Sequence, residues 1–525
     1  MPKHKNWFWL AALVAAALFD FLFWQKGLGI SFPIWIAVLL GTGFFLAWRE
    51  GQKPSAISLV LAILIFAFSI LPAWRNEPFT RFLGVFLSLT GALLLSATFL
   101  TGYWPSYRMV DYFKNMFIAL GAGLSRAILL GSKNGGTPPP LEQAPEKQKG
   151  KKGWAVVRGL LIALPIVALL ALLLSSADPI FADWLARVLN IEKLPQYLFR
   201  LFYIVVIGTF LVGLFLHAIL PNKKEDRPDP GSPWMKPFLG WTETAVILSA
   251  VNLLFLSFVF IQFRYLFGGD VNISETGFTY AEYARKGFGE LVAVAVISLA
   301  IYLLLNTVSR RESKGEQRGF TILAVLLMAN VLVMLVSSLQ RLRLYEDAYG
   351  FSQLRTYTHV FIFCLAGLIL TAILLELINR RGHFAFVLLI TTLAFASALA
   401  IMNVNGFIAE RNIERAIDGK ELDVPHLVSL SSDAVPMLVE RFSDPATPAE
   451  VKEDLGYAIS CNNALMEDPN GQPWQMFSVS NLVAWNLLQE NHSVLAKYKV
   501  TGDSPHGFHY QKDGVVVSCV QYFMD

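Results

Sequence analysis

Three groups of residues in this chain have types and spacings that could do chemistry. The first is a set of charges and tyrosines spread over three polar stretches. Arg264 stands just before Tyr265-Leu266-Phe267-Gly268-Gly269, and Glu282 and Arg285 stand in the run from Thr279 to Phe288, ahead of Glu290. The run Arg341-Leu342-Arg343-Leu344-Tyr345-Glu346-Asp347-Ala348-Tyr349-Gly350 is followed by Arg355, Tyr357 and His359. A guanidinium is always charged and offers five N–H donors in a planar fork, so clustered arginines suit carboxylates and phosphates. The candidate ligand-binding residues are therefore Arg264, Glu282, Arg285, Glu290, Arg341, Arg343, Glu346, Asp347 and Arg355. Three readings stay open. The charges could form a lattice in which Arg264, Arg341 and Arg343 pair with Glu282, Glu290, Glu346 and Asp347. They could hold an anionic ligand, a lipid headgroup or a peptide. Or Glu346, Asp347 or His359 could act in acid–base chemistry, although nothing nearby reads as a nucleophile or metal set to act with them.

The second group is Asn252 and Asn330, each about ten residues into an apolar run and so near the middle of a bilayer. Paired across two helices they would contribute about 0.6–2 kcal/mol; unpaired, they could line a path for ions or solutes. A proton-coupled transporter usually carries a carboxylate deep in the membrane, whereas Asp20, Glu243, Glu290 and Glu376 all fall near run ends. The third group is Cys461 and Cys519, which could form a disulfide in an oxidising compartment. Cys364 lies in an apolar run and reads as a small hydrophobe. The sequence contains no H-E-x-x-H, no Walker loop, no dinucleotide glycine fingerprint after a strand and no Gly-x-Ser-x-Gly turn. No catalytic residue, metal site or cofactor is assigned on this basis.

The elements that must position these residues are set by hydropathy. Of 525 residues, 55% are hydrophobic and 16% charged, against about 25% charged in ordinary soluble domains. Lipid must cover so apolar a surface. A spanning helix needs about 20 apolar residues, and eleven runs qualify: Trp7–Trp24, Ile30–Trp48, Ala56–Trp74, Phe82–Trp104, Trp154–Ser176, Leu198–Leu220, Trp241–Phe267, Gly287–Asn306, Phe320–Leu339, Thr358–Asn379 and Phe384–Met402. The first is expected to be an uncleaved span, because its apolar stretch runs on through Phe19, Phe21 and Phe23. Lys and Arg concentrate at Lys3, Lys5, Arg49, Lys53, the 105–153 connection, Lys223, Lys224, Arg310, Arg311, Arg380 and Arg381. The positive-inside rule then puts the N-terminus in the cytoplasm and the C-terminus outside.

Four segments follow: a four-helix membrane region (1–104), an amphipathic helix and flexible basic linker (105–153), a seven-helix membrane region (154–402) and a soluble domain (403–525). In the second, Val110, Phe113, Phe117, Leu120 and Leu124 make the stripe of an interfacial helix over Tyr107–Leu130. A re-entrant segment over Met116–Leu130 is the rival reading. Ser132–Gly153 is too rich in Gly, Pro, Lys and Gln to fold. The C-terminal segment predicts helices at Phe407–Asp418, from Asp433, from a capping box at Thr447, and over about Ser480–Lys497, then a hairpin around Lys512-Asp513-Gly514. The fold class is thus an all-α polytopic membrane bundle of about eleven transmembrane helices with a small C-terminal α+β extramembrane domain.

The runs Tyr280–Phe288 and Arg341–Tyr345, with Ala348-Tyr349-Gly350 and Arg355, resemble a bacterial family of polytopic membrane proteins, the domain of unknown function 4173. Ser176–Phe181 and Asn405 to Arg415 are similar to the same family, and the likeness covers roughly Ser175 to Leu438. It implies a bacterial plasma-membrane protein and brings no reaction with it. The expected function is a non-enzymatic sensor, scaffold or envelope-associated accessory factor; a small-solute or lipid transporter and a membrane enzyme acting on lipid-linked envelope substrates are the alternatives. The expected partners are membrane lipids and an envelope protein or peptide meeting 403–525, with no nucleic acid.

Overall fold

A computed structural model describes residues 2–131, parts of 163–181, 194–220, 229, 235–266, 288–503, 507–512 and 514–520, without side chains at 128–131, 194 and 263–266. The apolar runs are helices: α1 (Lys5–Phe23), α2 (Ser31–Arg49), α3 (Ala56–Ser69, continued by Leu71–Trp74), α4 (Pro78–Thr98), α5 (Met109–Gly131), α6 (Leu194–Ile219), α7 (Trp241–Leu266), α8 (Phe288–Val308), α9 (Lys314–Tyr349), α10 (Gln353–Leu377) and α11 (Phe384–Met402). Among the described residues ten helices, all of these except α5, are long and apolar enough to cross a membrane. The expected span Trp154–Ser176 lies largely outside the described residues, and the Ser132–Gly153 linker lies wholly outside them. The architecture is an all-α polytopic bundle followed by a small C-terminal α+β domain.

The chain forms two compact units. One comprises Met1–Gln25, Val38–Lys53 and Phe117–Asn222, the other Lys26–Ala37, Pro54–Met116 and Lys223–Asp525. In the first unit α1 and α6 run antiparallel, joined near one end by Asp20, which accepts from Arg200 Nε at 2.9 Å and from the Tyr203 hydroxyl. Ion pairs at span ends escape the full cost of burial in hydrocarbon. A Cβ on Gly213 would lie 2.2 Å from the Gly123 carbonyl oxygen, so only glycine lets the α5 and α6 backbones approach this closely. Near the start of the chain the Glu50 carboxylate accepts from the backbone N–H groups of Lys3 and His4, both at 2.8 Å.

In the second unit α5 begins after a 3-10 turn at Trp104–Ser106. Asp111 turns back in the first turn to accept from Arg108 N at 3.1 Å and Arg108 Nε at 2.8 Å, a carboxylate placed where the helix dipole favours it. Phe113 of this helix is exposed. Helices α7 to α10 share one apolar core that includes Leu248, Leu327, Val331, Ile362 and Ile369.

Helix α9 is 36 residues long, about 54 Å at 1.5 Å per residue, well beyond the roughly 30 Å hydrocarbon thickness. The run Phe320–Leu339 is only its apolar middle. Ser313 and Glu316 close a capping box at its start, no proline interrupts it, and Gly350, with a φ of +80°, ends the helix with its N–H on the Glu346 carbonyl at 2.8 Å. Three residues later α10 begins. The α9 terminus therefore stands among the residues of the C-terminal domain.

That domain comprises α12 (Val404–Ile417), α13 (Val424–Ser429), α14 (Val435–Ser443), α15 (Ala449–Leu465) and α16 (Val479–Glu490), then an antiparallel sheet of β1 (Val500–Asp503), β2 (Gly507–Lys512) and β3 (Val515–Ser518) in that order. The expected hairpin pairs Lys512 with Val515. Strand β1, pairing Val500 with Tyr510, is additional. At α15 the cap is Pro448, and the Thr447 hydroxyl donates to the Arg441 carbonyl at 2.7 Å instead of capping. Cys461 on α15 is joined to Cys519 after β3 in a disulfide with a Cα–Cα distance of 5.6 Å. The apolar core is continuous across residue 403: Phe68, Leu71 and Leu83 of the bundle belong to one cluster with Leu399, Ile408, Leu438 and Leu455.

Candidate ligand cleft at the junction of bundle and C-terminal domain

The junction is built on buried polar bonds as well as that shared core. The turn Arg75-Asn76-Glu77 between α3 and α4 presents two backbone N–H groups to Asp433, whose Oδ2 accepts both at 2.7 Å and the Ser431 hydroxyl at 2.9 Å. Asp433 is 2% exposed, so these bonds replace its water. The Arg75 guanidinium lies 3.8 Å from its other oxygen and donates through Nε to the Ala400 carbonyl at 2.9 Å. Burial lowers the Arg75 pKa, and the Asp433 charge opposes that shift. Glu77 caps α4 through Phe79 N at 2.8 Å and Thr80 N at 2.6 Å, and also accepts from the Tyr357 hydroxyl of α10.

Beside this junction the Gly350–Ser352 turn between α9 and α10 faces α12 and the start of α13 across a polar cleft of about 230 Å³. Asn412 on α12 fixes the turn by accepting from Phe351 N at 2.8 Å and donating to Phe351 O at 3.0 Å. His426 Nε2 meets the same carbonyl at 3.1 Å, which makes that nitrogen the donor. Arg355 donates to the Gly350 carbonyl and lies over the Tyr345 ring, 4.0 Å from its centroid. Arg415, one turn beyond Asn412, donates to the Asp347 carbonyl at 2.9 Å, and its Nε is buried without a hydrogen bond. Gly350 is required here twice over: by its positive φ, and because a Cβ would lie 2.7 Å from Arg415 Nη1 and from Asn412 Oδ1. Burial lowers the Arg415 pKa; Asp347 opposes the shift and Arg355 adds to it. Glu421 and Asp423 complete the lining.

The candidate residues read from sequence distribute as follows. Arg355 lines the cleft, and the Asp347 carbonyl accepts from Arg415, another lining residue. Glu346 is buried at 1% exposure and pairs with His359 Nδ1 at 3.0 Å, which ties α9 to α10. Arg341 is buried in α9, whereas Arg343 and Glu290 are exposed. The Arg264 side chain, Glu282 and Arg285 lie outside the described residues. Asn330 Nδ2 donates to Asn252 Oδ1 at 3.3 Å, and Asn252 Nδ2 donates to the Leu248 and Leu323 carbonyls at 2.9 and 3.0 Å. Both asparagines are buried within the α7–α10 core. Among the described residues no group of three or more His, Cys, Asp or Glu side chains could hold a metal.

Sequence reasoning passed over Asn412, Arg415, Glu421, Asp423 and His426 as site residues. The available signal was the spacing of Asn412 and Arg415, three apart and hence on one helix face. It gains meaning only once the Gly350 turn lies against that face.

No solved structure and no curated protein matches the chain. The model of the family described as Domain of unknown function (DUF4153) matches residues 62–441, well over half of the sequence. The numbered family is thus not the 4173 domain that the Tyr280–Phe288 and Arg341–Tyr345 runs resemble. Short arginine and aromatic runs at helix ends answer to a general demand of membrane interfaces, so they carry the class of protein better than the individual family. The match also reaches back over most of α3 and all of α4, beyond the Ser175–Leu438 stretch of that resemblance, and it includes the Arg75–Glu77 turn, Asp433 and every residue that lines the cleft. The chain belongs to the DUF4153 family, a family of unknown function.

Proposed function

We infer that this protein is a non-enzymatic sensor of the bacterial plasma membrane, with its N-terminus in the cytoplasm and its C-terminal domain outside, that binds a small charged ligand in the cleft. The observation that carries this reading is α9. One uninterrupted helix has the cleft at its C-terminal end and a second charged cluster at its N-terminal end. In that cluster Glu376 accepts from Thr321 at 2.7 Å, from Tyr302 at 2.8 Å and from Arg381 at 2.8 Å. A ligand held by the Gly350 turn and α12 would act on both α9 and α10, and rigid helices carry displacement between their ends. The Cys461–Cys519 disulfide supports the outward placement, because such bonds persist in oxidising compartments.

The test is complementation of a deletion strain, read as its whole transcript profile. The full-length chain is expected to restore the parental profile. The Arg355→Ala/Arg415→Ala chain, present in the membrane at the same amount, is expected to leave it uncorrected. Full correction by that variant would refute the sensor reading. Orientation is checked separately: tags at Ser313 and Asp525 should report the cytoplasm and the exterior, respectively.

A further inference from the structure

We propose that the ligand of the cleft is a small zwitterion, a free amino acid or short peptide, with its carboxylate at Arg355 and Arg415 and its ammonium group at Glu421 and Asp423. This deepens the sensor reading and rests on it.

The cleft holds two cations and two carboxylates, yet no ion pair within 4 Å joins any of them to another described residue. Neighbouring carboxylates and guanidiniums on folded surfaces commonly collapse onto each other; here the frame holds them apart. Arg355 is committed to the Gly350 carbonyl and the Tyr345 ring, and Arg415 to the Asp347 carbonyl. Each guanidinium spends one donor group on the main chain, which fixes its position and leaves further N–H groups of its five for a ligand. Asn412, saturated by Phe351, keeps the turn rigid between them.

The carboxylates are set in the same way. Asp423, which lines the cleft, is held in place as the cap of α13, where its Oδ1 accepts from His426 N at 2.9 Å. Glu421 stands two residues earlier and is exposed. An anion alone would be drawn to the arginines but repelled by Glu421 and Asp423, and a cation alone would meet the reverse. A molecule carrying both charges satisfies both pairs. The volume of about 230 Å³ is below the roughly 300–1,000 Å³ of drug-sized pockets, which suits a ligand of one or two residues.

The experiment is calorimetric titration of the full-length chain in lipid nanodiscs. The probes are glycine, L-alanine, D-alanine, L-glutamate, L-lysine and L-alanyl-L-alanine, with N-acetylalanine lacking the ammonium group and alaninamide lacking the carboxylate. At least one zwitterion is expected to bind ten-fold or more tightly than both half-charged analogues. The alanine and dialanine arms separate a free amino acid from a peptide. Arg415→Gln should weaken the zwitterion at least ten-fold while leaving alaninamide unchanged, and Asp423→Asn, which keeps the α13 cap, should spare N-acetylalanine instead. If N-acetylalanine binds the wild-type chain as tightly as alanine, the zwitterion is overturned and a plain anion sensor stands. If no probe binds, the zwitterion and its site fall together, whereas the transcript test fails or succeeds independently of which solute is used.

Discussion

Replacing Asp433 by alanine removes the acceptor for two backbone N–H groups that have nowhere else to turn. Asn76 N and Glu77 N each lie 2.7 Å from the same carboxylate oxygen, in a junction where the residue is nearly solvent-free. A hydrogen bond to a charged group contributes about 1.5–3 kcal/mol, so losing two, and leaving the donors buried, costs about 3–6 kcal/mol. The Arg75 guanidinium, 3.8 Å from the other oxygen, adds to the loss because its charge stays buried without its partner. Since 1.4 kcal/mol is a factor of ten, local opening of the junction should become roughly 10²–10⁴ times more frequent. Hydrogen exchange of the full-length chain in nanodiscs measures this directly, through peptides covering 76–82 and 430–438. Protection should fall by that factor in these peptides and remain unchanged around Asn252 and Asn330 in the α7–α10 core. Asp433→Asn retains one acceptor oxygen without the charge, and its loss of protection should be about ten-fold. A ten-fold or smaller change for the alanine variant would refute the reasoning: the apolar core shared across residue 403 would then hold the domain in place by itself.

Further expectations follow from other contacts. Replacing Cys461 and Cys519 together by serine opens a crosslink across a separation of 58 residues and should cost about 4 kcal/mol on the chain-entropy model, read by chemical denaturation of the C-terminal domain within the intact chain. Gly350→Ala must adopt φ +80° and push against Arg415 and Asn412; a loss of about 1–3 kcal/mol is expected, with weaker ligand binding measured in the same titration. Asn330→Leu removes the 3.3 Å contact to Asn252 and should cost about 0.6–2 kcal/mol in thermal unfolding in detergent. Asp454, bonded to Lys512, has its carboxyl pKa raised by burial, with Lys512 opposing. A raised folded value means stability that is full below the unfolded pKa and declines as pH rises through the folded one. Asp454→Asn should therefore flatten that decline between acid and neutral pH, and an unchanged pH profile would contradict it.

Much of the bundle was legible because one physical requirement dominates it. A run of about 20 apolar residues has no stable alternative to a lipid-covered helix, and each such run among the described residues is one. The C-terminal helices were legible in type but less so in their ends. Pro448 occupies the cap that Thr447 was expected to hold, because the Thr447 hydroxyl finds the Arg441 carbonyl first. Strand β1 was missed since Val500-Thr501-Gly502-Asp503 has little strand character until β2 lies beside it.

The site was less legible than the fold. Arg355 and the Gly350 turn could be singled out from their composition, but Arg415, Glu421 and Asp423 are separated from them by α10 and α11 and look like ordinary surface charges. Hydropathy and turn chemistry are local, so the sequence by itself determined where helices lie, that lipid surrounds them, and that a polar domain follows them. Which charges share a cleft, which carboxylate seals the junction and which cysteines touch depend on contacts between distant segments. Those were decided by tertiary packing alone, because a buried polar group's partner is whatever the fold places within 3 Å of it.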